Sequence, residues 1–165
     1  NINEIIIDGN GNQLESVTAV DGPNYTIYQS RTNNKITGYA IPIAGKGLWG
    51  TMYGYFAIEP DASTVKGITF YKHKETPGLG AEVDKDWFKN NFVGKKLTNK
   101  NGELVSIEVI KGYVSDTDPD APHKVDGISG ATITGTGLTT FLKSDLQKYE
   151  PYFAKVRSVN QIESL

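Results

Sequence analysis

The stretch YTIYQSRTNNKITGYAIPI, residues 25–43, alternates apolar and polar side chains on both sides of the polar segment RTNNK at 31–35. Alternation with a period of two is typical of β-strands that bury one face, here at 25–30 and 35–43. Asparagine tolerates the positive φ angles that tight turns require, which suits this segment to the tip of a hairpin. The stretch therefore predicts two antiparallel strands joined by a tight turn.

Three segments further along the chain show the same alternation. They are GYFAIE (54–59), TVKGITFYKH (64–73) and LVSIEVIKG (104–112). The segment NKNGE (99–103) predicts a turn before the last of them. Strands joined by short turns pair antiparallel, so we expect a twisted, largely antiparallel sheet from the segments between Tyr25 and Lys111.

A first helix is predicted in the segment DKDWFKNNFVG, residues 84–94. Its aromatic residues Trp87, Phe88 and Phe92 share one face, and Gly94 fits a C-terminal stop. This amphipathic pattern indicates a short helix that packs on the sheet.

A second helix is predicted from about Leu138 to Tyr149, where apolar residues recur at helical spacing and form one stripe. Pro151 follows soon afterwards and is expected to mark its end. Strands followed by helices indicate an α+β fold, with the sheet and the packed helices in one domain over residues 1–165.

Composition limits the possible functions. A chain of 165 residues with 38% hydrophobic content can bury one core, and a net charge of −2 gives no basic surface for nucleic acid. The absence of cysteine excludes disulfides, thiolate metal sites, cysteine-ligated iron–sulfur clusters and cysteine nucleophiles. The two histidines, His73 and His123, lie far apart in sequence, so no metal site is expected. No window reaches the roughly 18–20 apolar residues of a membrane-spanning helix.

The segment DGISGATITGTG, residues 126–137, combines glycines with hydroxyl side chains just ahead of the second predicted helix. We expect a loop here. The N–H groups and dipole at a helix start attract phosphate, and Ser129, Thr132 and Thr134 offer oxygens. A flexible loop with Thr134 or Thr136 as the helix N-cap is the alternative. No Lys–Ser/Thr pair follows the glycines, and PDAPHKV (119–125) is not expected to be the parallel strand of a dinucleotide-binding unit, so neither nucleotide class is indicated.

The beginning of this segment, DGISGAT at 126–132, resembles the Asp-Gly-x-Ser/Thr-Gly-Ala-Thr motif to which flavin transferases attach FMN. Two more segments agree: HKETPGLGAEV (73–83) and GKGLWGTMYGYFAI (45–58). Together they resemble the C subunit of the sodium-pumping NADH:quinone oxidoreductases. The related G subunit of the Rnf electron-transfer complex is the alternative, and GKGLW favours the former.

The resemblance implies an FMN-binding domain with covalent FMN, joined by a phosphoester to the closing threonine of the motif, Thr132. It implies that the other motif residues belong to the FMN-binding site, with Ser129 also a polar contact of the ring pocket: Asp126, Gly127, Ser129, Gly130, Ala131 and, just beyond, Thr134. Asp126 would orient the acceptor hydroxyl or hold magnesium during flavin transfer, although loop aspartates also commonly cap turns.

The segment ETPGLG, residues 75–80, predicts a rigid turn, since Pro77 fixes φ and Gly78 permits turn conformations. Leu79 would project against the flavin ring, with polar contacts from Glu75 or Thr76; a plain strand-to-helix connection is the alternative.

Leu48 and Trp49 would line the ring faces, and indole suits stacking on isoalloxazine. A tryptophan buried in the core is the alternative. The Thr132 loop, the ETPGLG turn and the GLW segment are therefore expected to form one pocket.

The same resemblance implies an electron carrier without a complete activity of its own. Its FMN would receive electrons from an iron–sulfur centre in the membrane subunits and pass them to the FMN of the B subunit, after maturation by a flavin transferase. A transmembrane helix would precede Asn1, with the domain at the periplasmic face of the inner membrane. The alternative of another class is a flavin-free interaction module that uses surface aromatics such as Tyr53, Tyr55 and Trp87.

Overall fold

The computed structural model describes residues 1–15 and 22–165. Among these residues, six strands form one antiparallel sheet in the order β2-β1-β3-β4-β5-β6. The strands are β1 (Ile2–Ile7), β2 (Gln13–Leu14), β3 (Tyr25–Thr32), β4 (Lys35–Lys46), β5 (Thr51–Ile58) and β6 (Val65–Lys72). The predicted α+β fold and its antiparallel sheet are confirmed, and β1 and β2 extend the sheet beyond the predicted strands.

The hairpin of β3 and β4 forms as the sequence predicts. Thr32 pairs with Lys35, and the two turn residues Asn33 and Asn34 have φ angles of 49° and 64°. The alternation also holds, since Ile41 and other core residues of the sheet point to one face while their neighbours point to the other. This buried face is covered by the helices.

Beyond β6, the chain forms short elements that connect the sheet to a long helix. The short elements are a 3₁₀ helix (Gly80–Asp84), α1 (Asp86–Asn90), β7 (Glu108–Val109), a second 3₁₀ helix (Ala121–His123) and β8 (Lys124–Val125). The long helix is α2 (Thr132–Glu163). The helix predicted at 84–94 is thus shorter than expected, with Gly94 at a φ of 81° after its last turn.

The strand predicted at 104–112 is wrong over most of its length. Ser106 has a φ of 64°, which breaks the extended backbone, and only Glu108–Val109 remains as β7. Its partner is β8, in parallel register, although no local pattern indicates a strand at 124–125. The connection between them contains a 3₁₀ helix and no α-helix, unlike the crossover of a dinucleotide-binding βαβ unit.

The second predicted helix exists but its limits are wrong at both ends. Helix α2 begins at Thr132, within the expected loop, and continues through Pro151 to Glu163. A proline inside a helix loses one hydrogen bond to the carbonyl four residues earlier. Tyr149 and Phe153 are buried on either side of it, so packing holds the helix together across that position.

Helix α2 packs along β4, and two contacts fix its position there. A Cβ atom at Gly45 would overlap the Phe141 side chain, so glycine permits the close approach. The buried carboxylate of Asp145 accepts the backbone N–H of Ala44 at 2.8 Å. These contacts set the start of α2 beside the end of β4. In the described parts of the chain, no helix combines the length and apolar composition needed to cross a membrane.

Candidate functional site

Three segments distant in sequence meet at the start of α2. They are the β4–β5 connection, the turn that follows β6 and the first turn of the helix. A cavity of about 120 Å³ lies between them. It is lined by Leu48, Trp49, Thr76, Leu79, Gly80, Gly130, Ala131 and Thr134. The structure therefore brings together the three segments that the sequence predicts to form one pocket.

The side chain of Glu75 connects these segments. Its Oε1 accepts the backbone N–H of Leu48 at 2.8 Å and the hydroxyl of Thr134 at 2.7 Å. Its Oε2 accepts the backbone N–H of Trp49 at 3.0 Å. The residue is only 5% exposed, so these bonds form away from solvent. One carboxylate thus joins the turn after β6 to the β4–β5 connection and to α2.

Two opposing influences act on the pKa of Glu75. Burial is the largest single cause and raises the pKa, but the hydrogen bonds from Thr134, Trp49 and Leu48 together outweigh it and lower the pKa below its ordinary 4.5. Glu75 is therefore ionised at neutral pH, and its negative charge is balanced by hydrogen-bond donors.

The apolar side chains around the cavity stand open to solvent. Leu48 is 40% exposed, Trp49 64% and Leu79 42%, so Trp49 is not the buried core tryptophan of the alternative interpretation. Leu79 packs over Gly130, where an added Cβ would lie 2.9 Å from Leu79 Cδ2. Gly130 has a φ of 75°, which glycine adopts without strain. An exposed apolar surface of this kind, beside buried polar groups, is typical of a ligand site.

The start of α2 leaves its first turn open. The residue before the helix, Ala131, makes no side-chain cap, and Thr132 is exposed in the first turn. The alternative that Thr134 or Thr136 caps the helix is wrong, because both lie inside it. The first N–H groups of a helix have no partner within the helix and carry its positive dipole end. An anion attached at Thr132 would meet these groups.

The hydroxyls of Thr132 and Thr134 have opposite surroundings. Thr134 is 1% exposed and donates its hydroxyl proton to Glu75. Thr132 faces solvent and borders two further cavities of about 470 Å³ and 400 Å³. Of these two hydroxyls, only that of Thr132 is therefore accessible to a reacting partner.

The residues before α2 hold the loop in place. Asp126 Oδ1 accepts the N–H of Val114 at 2.7 Å, and the N–H of Gly127 is bonded to the carbonyl of Gly112 at 2.9 Å. A Cβ at Gly127 would overlap the carbonyl of Ile110. The motif's acid and first glycine thus dock the loop on the 110–114 segment. Among the described residues, no group of three or more histidine and carboxylate side chains is placed to hold a metal ion.

Several site residues lie at the edge of this arrangement or were missed. Gly78 and Ser129 line a separate cavity of about 500 Å³, next to Trp87. Segment 108–113 lines the 470 Å³ cavity next to Thr132, and its Tyr113 is 86% exposed. Sequence reasoning missed this segment because only the three-dimensional contact with Gly127 brings it to the site.

Comparisons with known proteins give a family match and similar solved structures. The model of a family described as FMN-binding domain matches residues 47–147, which include all three segments. The solved C subunit of the Na(+)-translocating NADH-quinone reductase from Parabacteroides distasonis is 34% identical, with a TM-score of 0.78, and the match covers 92% of this chain and 77% of that one. The solved NqrC from Shewanella oneidensis is 25% identical, with a TM-score of 0.80 and coverage of 95% and 84%.

Curated relatives carry the same name. The C subunit of the Na(+)-translocating NADH-quinone reductase from Pseudomonas aeruginosa is 41% identical over 134 residues, which are 80% of this chain and 51% of the relative. The protein of that name from Chlamydia muridarum is 43% identical over 137 residues, covering 74% and 43%. The chain therefore spans about half the length of the curated relatives it matches. The resemblance to the C subunit, which belongs to an oxidoreductase complex, is confirmed.

Proposed function

Because this chain belongs to the FMN-binding domain family, we propose that it is an electron-carrier subunit whose FMN is joined to Thr132 by a phosphoester. The observation that carries the proposal is the contrast between two hydroxyls in one helix start: Thr132 is exposed, whereas Thr134 is buried and bonded to Glu75. FMN, when bound, supplies the redox chemistry, and the protein holds and surrounds it.

The attachment needs only group transfer. The Oγ1 of Thr132 would lose its proton and form the ester bond to the phosphorus of FMN. The flavin donor held by a flavin transferase would lose the bond between that phosphorus and its leaving group. Nothing is oxidised or reduced in this step, so Thr132 is an anchor and not a catalytic residue.

The start of α2 suits the phosphate. Thr132 is its first residue, where the N–H groups have no partner within the helix, and the positive end of the helix dipole stabilises anions at such a place. Gly130, at a φ of 75°, has no side chain and would let the phosphate lie close to the backbone. Asp126 and Gly127 hold the preceding loop through Val114 and Gly112, so they support the phosphate site by keeping the loop in place.

The flavin ring would lie against the exposed side chains of Leu48, Trp49 and Leu79. These are the apolar groups beside the 120 Å³ cavity, and indole and leucine provide flat and apolar contacts for isoalloxazine. The exposed Thr76 lies at the same cavity and would supply a polar contact to the ring edge. Burial of these side chains by the ring would stabilise its orientation.

The place of this carrier in a complex is proposed from its relatives. We propose that it accepts electrons from an iron–sulfur centre of the membrane subunits and delivers them to the FMN of the B subunit within a sodium-translocating NADH:quinone reductase. The domain would be held at the periplasmic face of the inner membrane by an N-terminal helix. The segment at 126–137 does not match a dinucleotide-binding motif. We therefore propose that NADH binds on another subunit.

Co-expression with a flavin transferase tests the anchor. Covalent flavin survives denaturation, so its fluorescence is measured in the denaturing gel. We expect fluorescence in the wild type and in Thr136→Ala, whose exposed hydroxyl lies in the next turn, and none in Thr132→Ala. Fluorescence that persists in Thr132→Ala would move the anchor elsewhere. A colourless, unmodified wild type in the presence of an active transferase would instead favour a flavin-free module.

A further inference from the structure

We infer that Glu75 is a positioning residue, whose buried carboxylate holds the Leu48–Trp49 segment against the start of α2. Its role toward the flavin ring rests on the proposed function above, but the holding of the segments does not. The carboxylate acts through backbone groups of the pocket.

The carboxylate serves as the common acceptor of three donors. Both oxygens are occupied, one by Leu48 N–H and Thr134 hydroxyl, the other by Trp49 N–H. A carboxylate offers only acceptors, whereas a carboxamide offers one acceptor oxygen and a donating NH₂ group. Glutamine in this place would therefore set a donor against at least one of these donors. Both acceptor oxygens of Glu75 are therefore needed.

Two glycines leave room for this arrangement. A Cβ at Gly47 would lie 2.6 Å from Glu75 Oε1, and a Cβ at Gly80 would lie 2.7 Å from Thr134 Oγ1. Real Cβ atoms do not approach so closely, so any other residue at either position would displace the bonded groups. The second glycine of GKGLW, Gly47, and the second glycine of ETPGLG, Gly80, thus have a packing reason that involves the same carboxylate.

The backbone of Glu75 is itself held. Its N–H donates to His73 Nδ1 at 3.1 Å, which leaves the proton of the imidazole on Nε2, where it bonds Asp84 Oδ2 at 2.6 Å. Asp84 closes the 3₁₀ helix that follows the turn. The turn is therefore fastened at its beginning and its end, which keeps the carboxylate aimed at its three donors.

The consequence reaches the exposed side chains. Trp49 is 64% exposed and Leu48 40%, so few packing contacts hold them. Their backbone N–H groups are held by Glu75, and hydrogen bonds to a charged group are stronger than those between neutral groups. Loss of the carboxylate would let the segment open locally while the sheet and α2 remain folded.

The first test measures amide hydrogen exchange at Leu48 and Trp49 in the flavin-free protein. In Glu75→Gln we expect exchange at these two amides to be at least about tenfold faster than in the wild type. The matched control is Glu82→Gln, since Glu82 lies in the 3₁₀ helix that follows the turn and accepts the indole N–H of Trp87 instead. Unchanged exchange in Glu75→Gln would overturn the inference, whether or not the protein carries flavin.

A second pair of variants guards against misfolding of Glu75→Gln. Thr134→Val removes one donor to the carboxylate, and Thr134→Ser keeps it. We expect faster exchange at Leu48 in the valine variant and wild-type exchange in the serine variant. Equal behaviour of the two would contradict a role for this hydroxyl in the arrangement.

The final test uses the flavin-loaded protein. Visible circular dichroism of the attached flavin should change in Glu75→Gln and Thr134→Val but stay as in the wild type in Thr134→Ser and Glu82→Gln, with attachment at Thr132 retained in all four. Faster amide exchange with an unchanged flavin spectrum would overturn the role of Glu75 toward the ring. A wild type that takes up no flavin would refute the proposed function, while the exchange results would still decide whether Glu75 holds the segments.

Discussion

The start and the buried middle of α2 are built from different residues for different tasks. Its first two turns contain threonines and glycines, and they approach neighbouring backbone closely; a Cβ at Gly137 would overlap the carbonyl of Lys46. Its middle buries large side chains such as Leu142 and Phe153 against the sheet. One helix can thus close the core with one part and offer an accessible helix start with the other.

The buried middle of α2 should be more sensitive to side-chain truncation than its start. Leu142 is fully buried at 0% exposure, so Leu142→Ala removes apolar contacts and leaves a cavity. We expect a loss of roughly 2–5 kcal/mol in the free energy of unfolding, measured by urea denaturation. Lys143→Ala, at the exposed next position, is the control. A loss below about 1 kcal/mol for Leu142→Ala would mean that α2 does not close the core.

The buried middle of α2 should also contribute less to stability at alkaline pH. Burial, with a smaller contribution from Asp145, raises the pKa of Tyr149 from 10.0 to about 12. The unfolded chain therefore ionises first, so this contribution to stability is complete below pH 10 and falls as pH rises toward 12. Between about pH 9 and about pH 12, the free energy of unfolding should fall by roughly 2–3 kcal/mol less in Tyr149→Phe than in the wild type, as measured by unfolding midpoints at both pH values.

Tyr113→Phe serves as the control for the alkaline experiment, since Tyr113 is 86% exposed. It should leave the pH dependence as it is in the wild type. The same alkaline loss in Tyr149→Phe as in the wild type would contradict the assignment.

The two glycines in the first turns of α2, Gly135 and Gly137, sharpen the comparison at the start of the helix. Gly137→Ala sets a methyl against a backbone carbonyl, which cannot move aside, and should cost about 1–3 kcal/mol. Gly135→Ala meets the Val109 side chain, with Cγ1 at 3.0 Å, which requires a smaller displacement than the Lys46 carbonyl at 2.3 Å from a Cβ at Gly137, and it gains up to about 1 kcal/mol of helix propensity. Thermal unfolding should thus rank Gly137→Ala well below Gly135→Ala. The opposite ranking would mean that the helix start does not press on Lys46.

The smallest effect on the free energy of unfolding is expected from Glu75, which contacts the start of α2, and it depends on acid pH. The lowered pKa of Glu75 stabilises the folded state above the ordinary value of 4.5, and this contribution is lost as pH falls through the lowered value. The stability difference between the wild type and Glu75→Gln should be of the order of 1 kcal/mol at neutral pH and shrink in acid. A difference that stays constant down to the acid limit of folding would show that the ionised carboxylate is not involved.

The sequence predicted the parts of the fold that local patterns determine. The hairpin of 31–35 formed because asparagine tolerates its positive φ angles, and the DGISGAT segment indicated the site because its residue types are unusual together. The start of α2 was mispredicted because glycine and threonine have low helix propensity. Close packing on Lys46 overrides that propensity, and this contact is not visible in the sequence.

The site was predictable in its segments but not in its connections. The three motifs placed Leu48, Trp49 and Leu79 at one pocket, and the structure brings them together. The sequence suggested Glu75 as a contact for the ring, whereas its oxygens bond to the backbone of the pocket and to Thr134. No local pattern indicates which side chain a buried carboxylate will meet 59 positions later in the chain.

The central claim is that the accessible hydroxyl of Thr132, and not the buried one of Thr134, carries the flavin. The most direct measurement is tandem mass spectrometry of the tryptic peptide 125–143 from protein co-expressed with a flavin transferase, since this peptide contains both threonines. We predict an FMN phosphoester on Thr132, with Thr134 unmodified. An adduct on Thr134, or on any residue outside this peptide, would contradict the claim.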